Sequence, residues 1–278
     1  MESRTLSGGL HATSAPLCSS GGGLLYDTEE VAVLLQKELE ELCEKRGWKN
    51  IHLRLRAEAP LNGWQHIADK FCTFHIDLAG GEEHVWTKIF RAKTRNQVRK
   101  AEKYNFTLHT GNDSIPEFVD LMHTCMKELG SPYPPQNLFV NATKHYSDDM
   151  KVLLLKDNGT PIAGTTLFFH GPFVSNPWAV CLKDYHPHCA NTLLYWESIK
   201  EGIRRHKVTF DLGRSSYGSG TFDFKRRLGA TPNPLHIYNR VHQPAGMGLL
   251  KTHFPTIWQK LPSFITKIAG PYFLRELL

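Results

Sequence analysis

The segment from residue 210 to residue 229 reads Phe210-Asp-Leu-Gly-Arg-Ser-Ser-Tyr-Gly-Ser-Gly-Thr-Phe-Asp-Phe-Lys-Arg-Arg-Leu-Gly229. Its apolar start predicts a strand over 208–212, and the residues from Thr221 to Leu228 predict a short helix. Between them, 213–220 is rich in glycine and serine, which predicts a loop. A loop that enters a helix N-terminus can bind an anion through successive backbone N–H groups. The alternative is a flexible connector.

The sequence before this segment predicts three antiparallel strands and a helix. Asp157-Asn-Gly159 is a strong hairpin signal between two apolar runs at 151–156 and 161–170. A third strand follows at 173–180, and a long helix is predicted from about Cys189 to Arg205. Upstream, a short strand is expected at 106–109, one helix begins at Ser114, and a second helix ends near His145.

The first part of the chain predicts a mixture of helices and strands. Asp27 or Thr28 caps a helix that Gly47 ends. Strands are predicted at 51–56 and 71–78, and a short strand is predicted to enter the glycine-rich loop within 14–23. Helices are expected near 82–90 and 94–104. The fold class is therefore α+β with mixed sheets.

Composition indicates a globular protein with a substantial core. The chain has 278 residues, of which 41% are hydrophobic and 22% charged, and its formal net charge is +6. This mild positive charge suits anionic partners without indicating a nucleic-acid binder by itself. Six scattered cysteines without a Cys-x-x-Cys pair predict reduced, mostly buried thiols. We expect a soluble cytoplasmic protein, with the inner face of the membrane as an alternative location.

Three stretches resemble the FemAB branch of the GNAT acyltransferase superfamily. They are Lys93-Thr-Arg-Asn-Gln-Val-Arg-Lys-Ala-Glu102, Asn191-Thr-Leu-Leu-Tyr-Trp-Glu-Ser-Ile199 and the segment 210–229. The subgroup with the most similar Gly-Ser-Gly-Thr-aromatic-x-Phe-Lys ending is associated with PEP-CTERM and exopolysaccharide systems. The resemblance implies tandem GNAT-like folds, here with an incomplete N-terminal repeat over 1–80. A basic helical connector is expected at 81–104, the second GNAT-like domain at 105–242 and an amphipathic helical tail at 243–278.

The resemblance also implies a reaction. FemAB-like proteins transfer an acyl or aminoacyl group to an amine, which predicts a role in cell-envelope synthesis of peptidoglycan or exopolysaccharide. The donor would be aminoacyl-tRNA or acyl-CoA, the acceptor a small or lipid-linked sugar or peptide, and no further cofactor or stable protein partner is expected. His186-Pro-His-Cys189 replaces the usual pyrophosphate-binding loop of acetyl-CoA enzymes. An acetyl-CoA-dependent N-acetyltransferase and a non-catalytic family member remain the alternatives.

Lys225 and Asp211 are the predicted catalytic residues. The resemblance places the Phe-Lys lysine beside the reacting groups, where a cation would stabilise the oxyanion that acyl transfer creates. Asp211 would accept a proton from the attacking amine or orient it. A solvated lysine and a salt bridge of Asp211 to Arg214 or Lys225 are the alternatives. The predicted substrate-binding residues of the same segment are Arg214, Ser215, Tyr217, Gly218, Gly220 and Phe224.

Three substrate-binding residues are predicted outside that segment. Arg95 and Arg99 belong to a basic helix that would bind phosphate, although a run of charges is more commonly a solvated face. Asn191 opens the helix at which an acyl-CoA pyrophosphate would lie in an ordinary GNAT fold. His186, His188 and Cys189 are too close in sequence, and lack distant partners, for a convincing metal site, so none is predicted.

The C-terminal tail carries an apolar stripe with lysines beside it. The stripe comprises Phe254, Ile257, Trp258, Leu261, Phe264, Ile265 and Ile268, and the lysines are Lys251, Lys260 and Lys267. Such a stripe usually packs on its own domain. The alternative is peripheral contact with a membrane surface near a lipid-linked acceptor.

Overall fold

A computed structural model describes residues 2–4, 9–14, 21–240 and 248–277. These residues form one mixed sheet with helices on both faces, which confirms the predicted fold class. The strand and loop predicted within 14–23 fall largely outside the described residues, which omit 15–20.

Ten strands build the sheet. They are β1 Glu2–Arg4, β2 Leu10–Thr13, β3 Trp48–Leu55, β4 Gln65–Asp77, β5 Thr107–Thr110, β6 Met150–Asp157, β7 Thr160–His170, β8 Phe173–Cys181, β9 Thr209–Ser216 and β10 Thr231–Asn239. Their spatial order is β1-β2-β3-β10-β4-β9-β8-β7-β6-β5. Most neighbours are antiparallel, whereas β2 and β3, and β8 and β9, pair in parallel.

Nine α-helices are found in the described segments. They are α1 Glu29–Arg46, α2 Gly81–His84, α3 Ala92–Glu102, α4 Ile115–Glu128, α5 Gln136–His145, α6 Ala190–Arg204, α7 Gly220–Arg227, α8 Gly248–Lys260 and α9 Ser263–Leu277. The helix predicted at 82–90 is α2 continued by a π-helical turn, Val85–Ile89. Thr28 caps α1 by accepting from Val31 N–H, and Gly47 ends α1 in the left-handed conformation, as predicted.

The first and last parts of the chain share strand pairings. β10 lies between β3 and β4, and β4 pairs in turn with β9. Strands from the predicted first repeat therefore alternate with strands that follow residue 208. This interleaving brings residues that are far apart in sequence to one region of the sheet.

Two hydrophobic clusters define the two faces of the sheet. On one face, called the α6 face, helices α3 and α6 pack on Phe74, Phe210, Leu212 and Leu155. On the opposite face, called the α4 face, α4 and α5 pack on β6, β7 and β8 through Val152, Leu154 and Trp178. Side chains alternate between the two faces along a strand. Thr73 and His75 of β4 and Asp211 of β9 lie between residues of the α6 face, so they point to the α4 face.

The predicted loop 213–220 is shorter than expected. Strand β9 continues through Ser216, so that only Tyr217, Gly218 and Ser219 separate it from α7, which begins at Gly220. The extension arises because Phe71, Cys72 and Thr73 of β4 pair with Ser216, Ser215 and Arg214. A partner strand far away in sequence thus overrides the local glycine and serine signal.

The described cysteines agree with the predicted reduced state. Cys43, Cys72, Cys125, Cys181 and Cys189 are unpaired, and the first three are buried. Burial raises the pKa of the Cys125 and Cys181 thiols to about 12, which disfavours the reactive thiolate. Cys18 lies outside the described residues. No helix in the described segments has the length and apolar content needed to cross a membrane.

Candidate active site

The candidate site lies where the parallel strands β8 and β9 separate. They pair only from Phe173 with Thr209 to Ser175 with Asp211. The β7–β8 register shifts between Ser175 and Trp178, and the β4–β9 register shifts between Asp211 and Arg214. These irregularities bend both strands and leave a gap beyond Asp211. Asp211 is thus the last residue of β9 that pairs with β8, although β9 itself continues beside β4 to Ser216.

Asn176 bridges the start of this gap. The amide orientation that satisfies its hydrogen bonding lets its nitrogen donate to the Asp211 and Leu212 carbonyl oxygens, at 3.3 and 3.2 Å. Gly213 lies opposite with a φ of +77°, and a β-carbon there would be 3.6 Å from the Asn176 carbonyl oxygen. Glycine at 213 therefore permits the left-handed turn that takes β9 away from β8.

Lys225 lies on α7 with its ammonium group at this gap. The side chain is only 6% exposed, and its Nζ donates to the carbonyl oxygens of Gly213 and Arg214, at 2.9 and 3.2 Å. Burial lowers the pKa of Lys225 to about 8, while Asp211 acts in the opposite direction. An ammonium group has three N–H donors, so one remains beyond these two bonds. Lys225 is therefore a buried cation, not the solvated lysine of the alternative interpretation.

Asp211 lies on the α4 face within a set of donors from three strands or their ends. Its carboxylate accepts from Arg56 Nη2 at 2.7 Å, from the Gly213 backbone N–H at 2.8 Å and from the Thr73 hydroxyl. His75 Nε2 is 3.8 Å from Asp211 Oδ2, beyond direct hydrogen-bond distance but near enough to favour the charged carboxylate. The salt bridge that the sequence allowed to Arg214 or Lys225 is instead made to Arg56.

These contacts keep Asp211 ionised. Burial by itself would raise the pKa of the carboxyl group, but His75, Thr73, the Gly213 N–H and the charge of Arg56 outweigh it, so the pKa lies well below its usual range. A carboxylate with such a low pKa is a weak base. The geometry therefore favours orientation over proton acceptance, the other role that the sequence left open for Asp211.

Aromatic and small polar side chains surround the gap on the α6 face. Phe224 packs edge-on against the buried Tyr195, with ring centroids 5.2 Å apart. Ser215 is 4% exposed, and within the described part of the chain its Oγ has no hydrogen-bond partner. Tyr217 is 39% exposed and contacts Cys72 and the Phe222 ring. Phe224, Ser215 and Tyr217 are thus gathered near Lys225, and their role in binding stays a prediction.

The N-terminus of α7 is capped by its own chain. Ser219 accepts a hydrogen bond from Phe222 N–H at 3.2 Å, and its own hydroxyl donates to the Ser216 carbonyl. Gly218 adopts a φ of +73°, which the tight turn requires, whereas a side chain at Gly220 would meet open space. Gly218 and Gly220 therefore make a compact turn, and substrate binding by them stays a prediction.

A group of cations lies beside Asp211. Arg214 points to the α4 face opposite Thr73, and its guanidinium carbon is 4.7 Å from the Phe71 ring centroid. Lys70 Nζ approaches the same ring at 5.4 Å. Burial, followed by the charge of Arg214, lowers the pKa of Arg54 to about 10. Arg54 Nε lies 3.2 Å from His52 Nε2. Arg214 and Lys70, with the buried Arg54 nearby, therefore make this surface positive.

Arg95 and Arg99 lie on the other side of the sheet. Both belong to α3, which packs with α6. Arg95 donates to the carbonyl oxygens of Trp86 and Phe90, and the Arg99 guanidinium carbon is 5.4 Å from the Trp86 ring centroid. These contacts tie α3 to the preceding π-helical turn, so the structure does not bring these arginines together with Arg214 on the α4 face. Phosphate binding by them stays a prediction.

Asn191 occupies the first turn of α6. Strands β8 and β9 are parallel, and α6 and α7 each follow one of them. The N-termini of both helices therefore point to the edge at which the gap opens. In the described segments, no three His, Cys, Asp or Glu side chains are grouped so that they can hold a metal ion.

Several residues of this arrangement were missed at the level of sequence. Arg56, Thr73 and His75 surround Asp211, and Arg54 contributes to the positive surface. The available signal was the alternation of apolar and polar residues along the two predicted strands, which places these polar side chains on one face. It sets Arg54 between the buried Leu53 and Leu55, just as it sets His75 between two buried residues of β4. The sequence did not indicate which strands would be neighbours in the sheet, so it could not bring these residues together with Asp211.

A comparison with protein families identifies the fold family. Residues 88–226, half of the chain, match the family model described as an acetyltransferase (GNAT) domain. The chain belongs to the GNAT acetyltransferase family. The matched range includes α6, β8 and β9, and ends one residue after Lys225. No curated protein sequence matches the chain significantly.

Solved structures show the same GNAT fold at low sequence identity. The crystal structure of FemX has a TM-score of 0.64 and 13% identity, and the match covers 87% of this chain and 83% of that one. The C-terminal domain of a putative lysylphosphatidylglycerol synthetase from Agrobacterium fabrum has a TM-score of 0.57 and 13% identity, with 91% and 82% covered. A tandem GNAT protein from the clavulanic acid biosynthesis pathway has a TM-score of 0.51 and 11% identity, with 77% and 70% covered.

Proposed function

We propose that this GNAT protein transfers an acyl or aminoacyl group to an amine acceptor in cell-envelope synthesis. The observation that carries the proposal is the buried ammonium group of Lys225 at the gap between β8 and β9. Acyl transfer develops negative charge on the carbonyl oxygen, and a fixed cation in a poorly solvated site stabilises that charge. The likeness to FemX and to a lysylphosphatidylglycerol synthetase supports a lipid-linked or peptide acceptor in the cell envelope. The choice of peptidoglycan or exopolysaccharide rests on the sequence resemblance alone.

In this mechanism the acceptor amine attacks the donor carbonyl directly. The amine nitrogen forms a bond to the carbonyl carbon, the bond to the leaving oxygen or sulfur breaks, and the amine proton is lost to solvent or to the leaving group. The remaining N–H of Lys225 is directed at the oxyanion. We assign Asp211 a positioning role, because it holds Gly213 N–H while the Gly213 carbonyl holds Lys225.

The positive surface beside the site supports a phosphate-bearing donor. Arg54, Arg214 and Lys70 lie near enough to one another to affect the local pKa values, and an anionic ligand would relieve their repulsion. Aminoacyl-tRNA carries such a phosphate chain next to its reactive ester.

The main competing function is acetyl transfer from acetyl-CoA, which the family description favours. Binding of a pyrophosphate needs free backbone donors before α6. His186 N–H and Cys189 N–H donate instead to the carbonyl oxygens of Lys183 and His186, both at 3.0 Å. The Asn191 N–H faces the Cys181 thiol. These bonds occupy three backbone donors at the start of α6, which counts against pyrophosphate binding there and favours the aminoacyl donor.

A donor comparison tests the proposal. The protein is incubated with labelled aminoacyl-tRNA or with labelled acetyl-CoA, in the presence of amine-bearing peptide or sugar precursors. We expect label to move from the tRNA to the acceptor. Submicromolar binding of coenzyme A in calorimetry, with acetyl transfer and no aminoacyl transfer, would reverse the assignment. Loss of label to water alone, with either donor, would contradict amine transfer altogether.

The pH dependence of the rate is expected to reveal Lys225. Its pKa is lowered to about 8, so the group is charged below this pH and loses its proton above it. We expect kcat/KM to rise at lower pH as the acceptor amine is deprotonated, to stop rising near pH 8, and to fall tenfold per pH unit once the pH exceeds both about 8 and the amine pKa. Rate profiles of the wild type and of Lys225→Met are compared. A rate that keeps rising above pH 9 in the wild type would exclude the charged form as the active one.

The salt dependence of donor affinity tests the positive surface. Arg214→Ala is expected to raise the KM for a phosphate-bearing donor about tenfold and to flatten the dependence of KM on salt concentration. Arg99→Ala on α3 is the matched control, because Arg99 lies on the other face of the sheet. Equal effects of the two substitutions would instead favour the phosphate-binding role predicted for the basic helix.

A further inference from the structure

The two C-terminal helices have one face that packs and one that is exposed. Trp258 of α8 and Thr266 of α9 are buried. The Thr266 hydroxyl is 2.9 Å from Nε2 of His123 on α4, and Gly270 faces Tyr133. The tail therefore packs back on its own domain through this face, which includes Trp258 of the predicted stripe, whereas Ile257, Phe264 and Ile268 of that stripe are exposed.

The opposite face of the tail carries large apolar side chains in contact with solvent. Phe264 and Ile268 are 66% and 70% exposed, and Tyr272 continues the row at 61%. Their spacing of four residues places them on one side of α9, away from Thr266 and Gly270. Ile257 of α8 is 60% exposed as well. An exposed apolar row of this size on a helix pair commonly marks an interaction surface.

Basic side chains flank the start of this row. A cleft of about 490 Å³ lies between α4 and the tail. It is lined by His123, Thr124, Lys127, Glu128, Lys183, Gln259 and Ser263. Lys127 Nζ donates to Ser263 Oγ at 3.1 Å, and Ser263 directly precedes Phe264. Lys183 Nζ donates to the Glu128 carbonyl at 3.2 Å. Glu128 supplies the carboxylate among the cleft residues, so the cations outnumber the acid.

We propose that α8 and α9 lie on an anionic lipid surface. Ile257, Phe264 and Ile268 enter the boundary between headgroups and acyl chains, and Lys127 and Lys183 contact the lipid phosphates. Apolar side chains on one helix face with lysines beside them are the features that interfacial helices use. The proposal does not depend on the chemistry at Lys225, so it can fail or hold independently of acyl transfer.

Charge distinguishes a lipid surface from a second copy of the chain. A symmetric dimer through this face would bring each patch against itself. Lys127, Lys183 and Lys260 of both copies would then lie in one interface, and the chain already carries a net charge of +6. An anionic membrane instead neutralises these charges, with a favourable contribution from each lysine near the surface.

Vesicle sedimentation tests this proposal with the full chain. Vesicles of phosphatidylglycerol and phosphatidylcholine in equal amounts are compared with vesicles of phosphatidylcholine alone. We expect the wild type to bind the anionic vesicles, and Phe264→Ser with Ile268→Ser to weaken partitioning about a hundredfold. Lys127→Gln with Lys183→Gln is expected to weaken binding to the anionic vesicles about tenfold and to leave the neutral ones unaffected.

A matched control uses apolar residues that are exposed elsewhere. Val33 and Leu34 of α1 are 47% and 62% exposed, so Val33→Ser with Leu34→Ser should bind vesicles as the wild type does. Thermal unfolding followed by circular dichroism checks that each variant folds. The proposal is overturned if the wild type does not bind anionic vesicles, or if the α1 and α9 pairs have equal effects. A third result would also overturn it: a wild-type dimer that Phe264→Ser with Ile268→Ser dissociates, while the same double substitution leaves vesicle binding unchanged.

Discussion

Lys225→Met is expected to lower kcat/KM by about a hundredfold to a thousandfold while leaving the protein folded. This is the loss seen when one donor to an oxyanion is removed, about 3–4 kcal/mol of transition-state stabilisation. The effect on stability should be much smaller. Lowering the lysine pKa from 10.5 to about 8 means that burial of the charge costs about 3 kcal/mol. Methionine removes that cost but leaves two carbonyl oxygens without their donor, which costs about 1–3 kcal/mol each.

The matched control for this substitution is Arg226→Met on the same helix. Arg226 is 59% exposed and pairs with Asp223, so its removal should change neither activity nor stability appreciably. Steady-state kinetics give kcat/KM, and urea unfolding gives the free energy of unfolding. If Lys225→Met retains full turnover, the oxyanion role of Lys225 is wrong. If it loses turnover together with several kcal/mol of stability, Lys225 is structural.

Asp211→Asn is expected to lower the free energy of unfolding by about 2–3 kcal/mol at pH 7. The carboxylate satisfies Arg56, Thr73 and the Gly213 N–H from a nearly buried position, and asparagine leaves these donors with a neutral acceptor. We expect a loss no larger than this because the Arg56 side chain is 39% exposed, so water screens its charge. Activity should fall as well, because Gly213 links Asp211 to Lys225.

The acid sensitivity of the protein should change in the same variant. The pKa of Asp211 is lower in the folded chain than in the unfolded one, so its contribution is present above about pH 4 and is lost as the pH falls further. Urea unfolding between pH 7 and 3 should therefore show a shallower decline for Asp211→Asn than for the wild type. Asp223→Asn, at an exposed aspartate, is the control. Parallel declines in the wild type and in Asp211→Asn would rule out a lowered pKa.

Local patterns were sufficient for most individual elements. The caps of α1, the Asn158-Gly159 hairpin and the short helix that carries Lys225 all depend on residues close in sequence. The same patterns and the resemblance indicated the fold class and the acyltransferase family. Local patterns predicted the end of β9 wrongly, because pairing with β4, a strand distant in sequence, extends β9 through Ser216.

The electrostatic environment of the site required the tertiary structure. Asp211 was singled out from the sequence, but its partner Arg56 lies 155 positions earlier and reaches it only because the β3, β10, β4 and β9 strands are neighbours. The roles proposed for Lys225 and Asp211 stay predictions until the variants are measured.

The segment 210–229 thus determined by itself a strand, a connection rich in glycine and serine, and a helix with a lysine on it, because capping, glycine conformation and apolar spacing act over a few residues. The tertiary structure alone decided that this lysine is buried at the gap between β8 and β9 and that Asp211 is held ionised. The physical reason is that desolvation and charge pairing depend on which strands lie side by side, and that is set by the packing of the whole sheet.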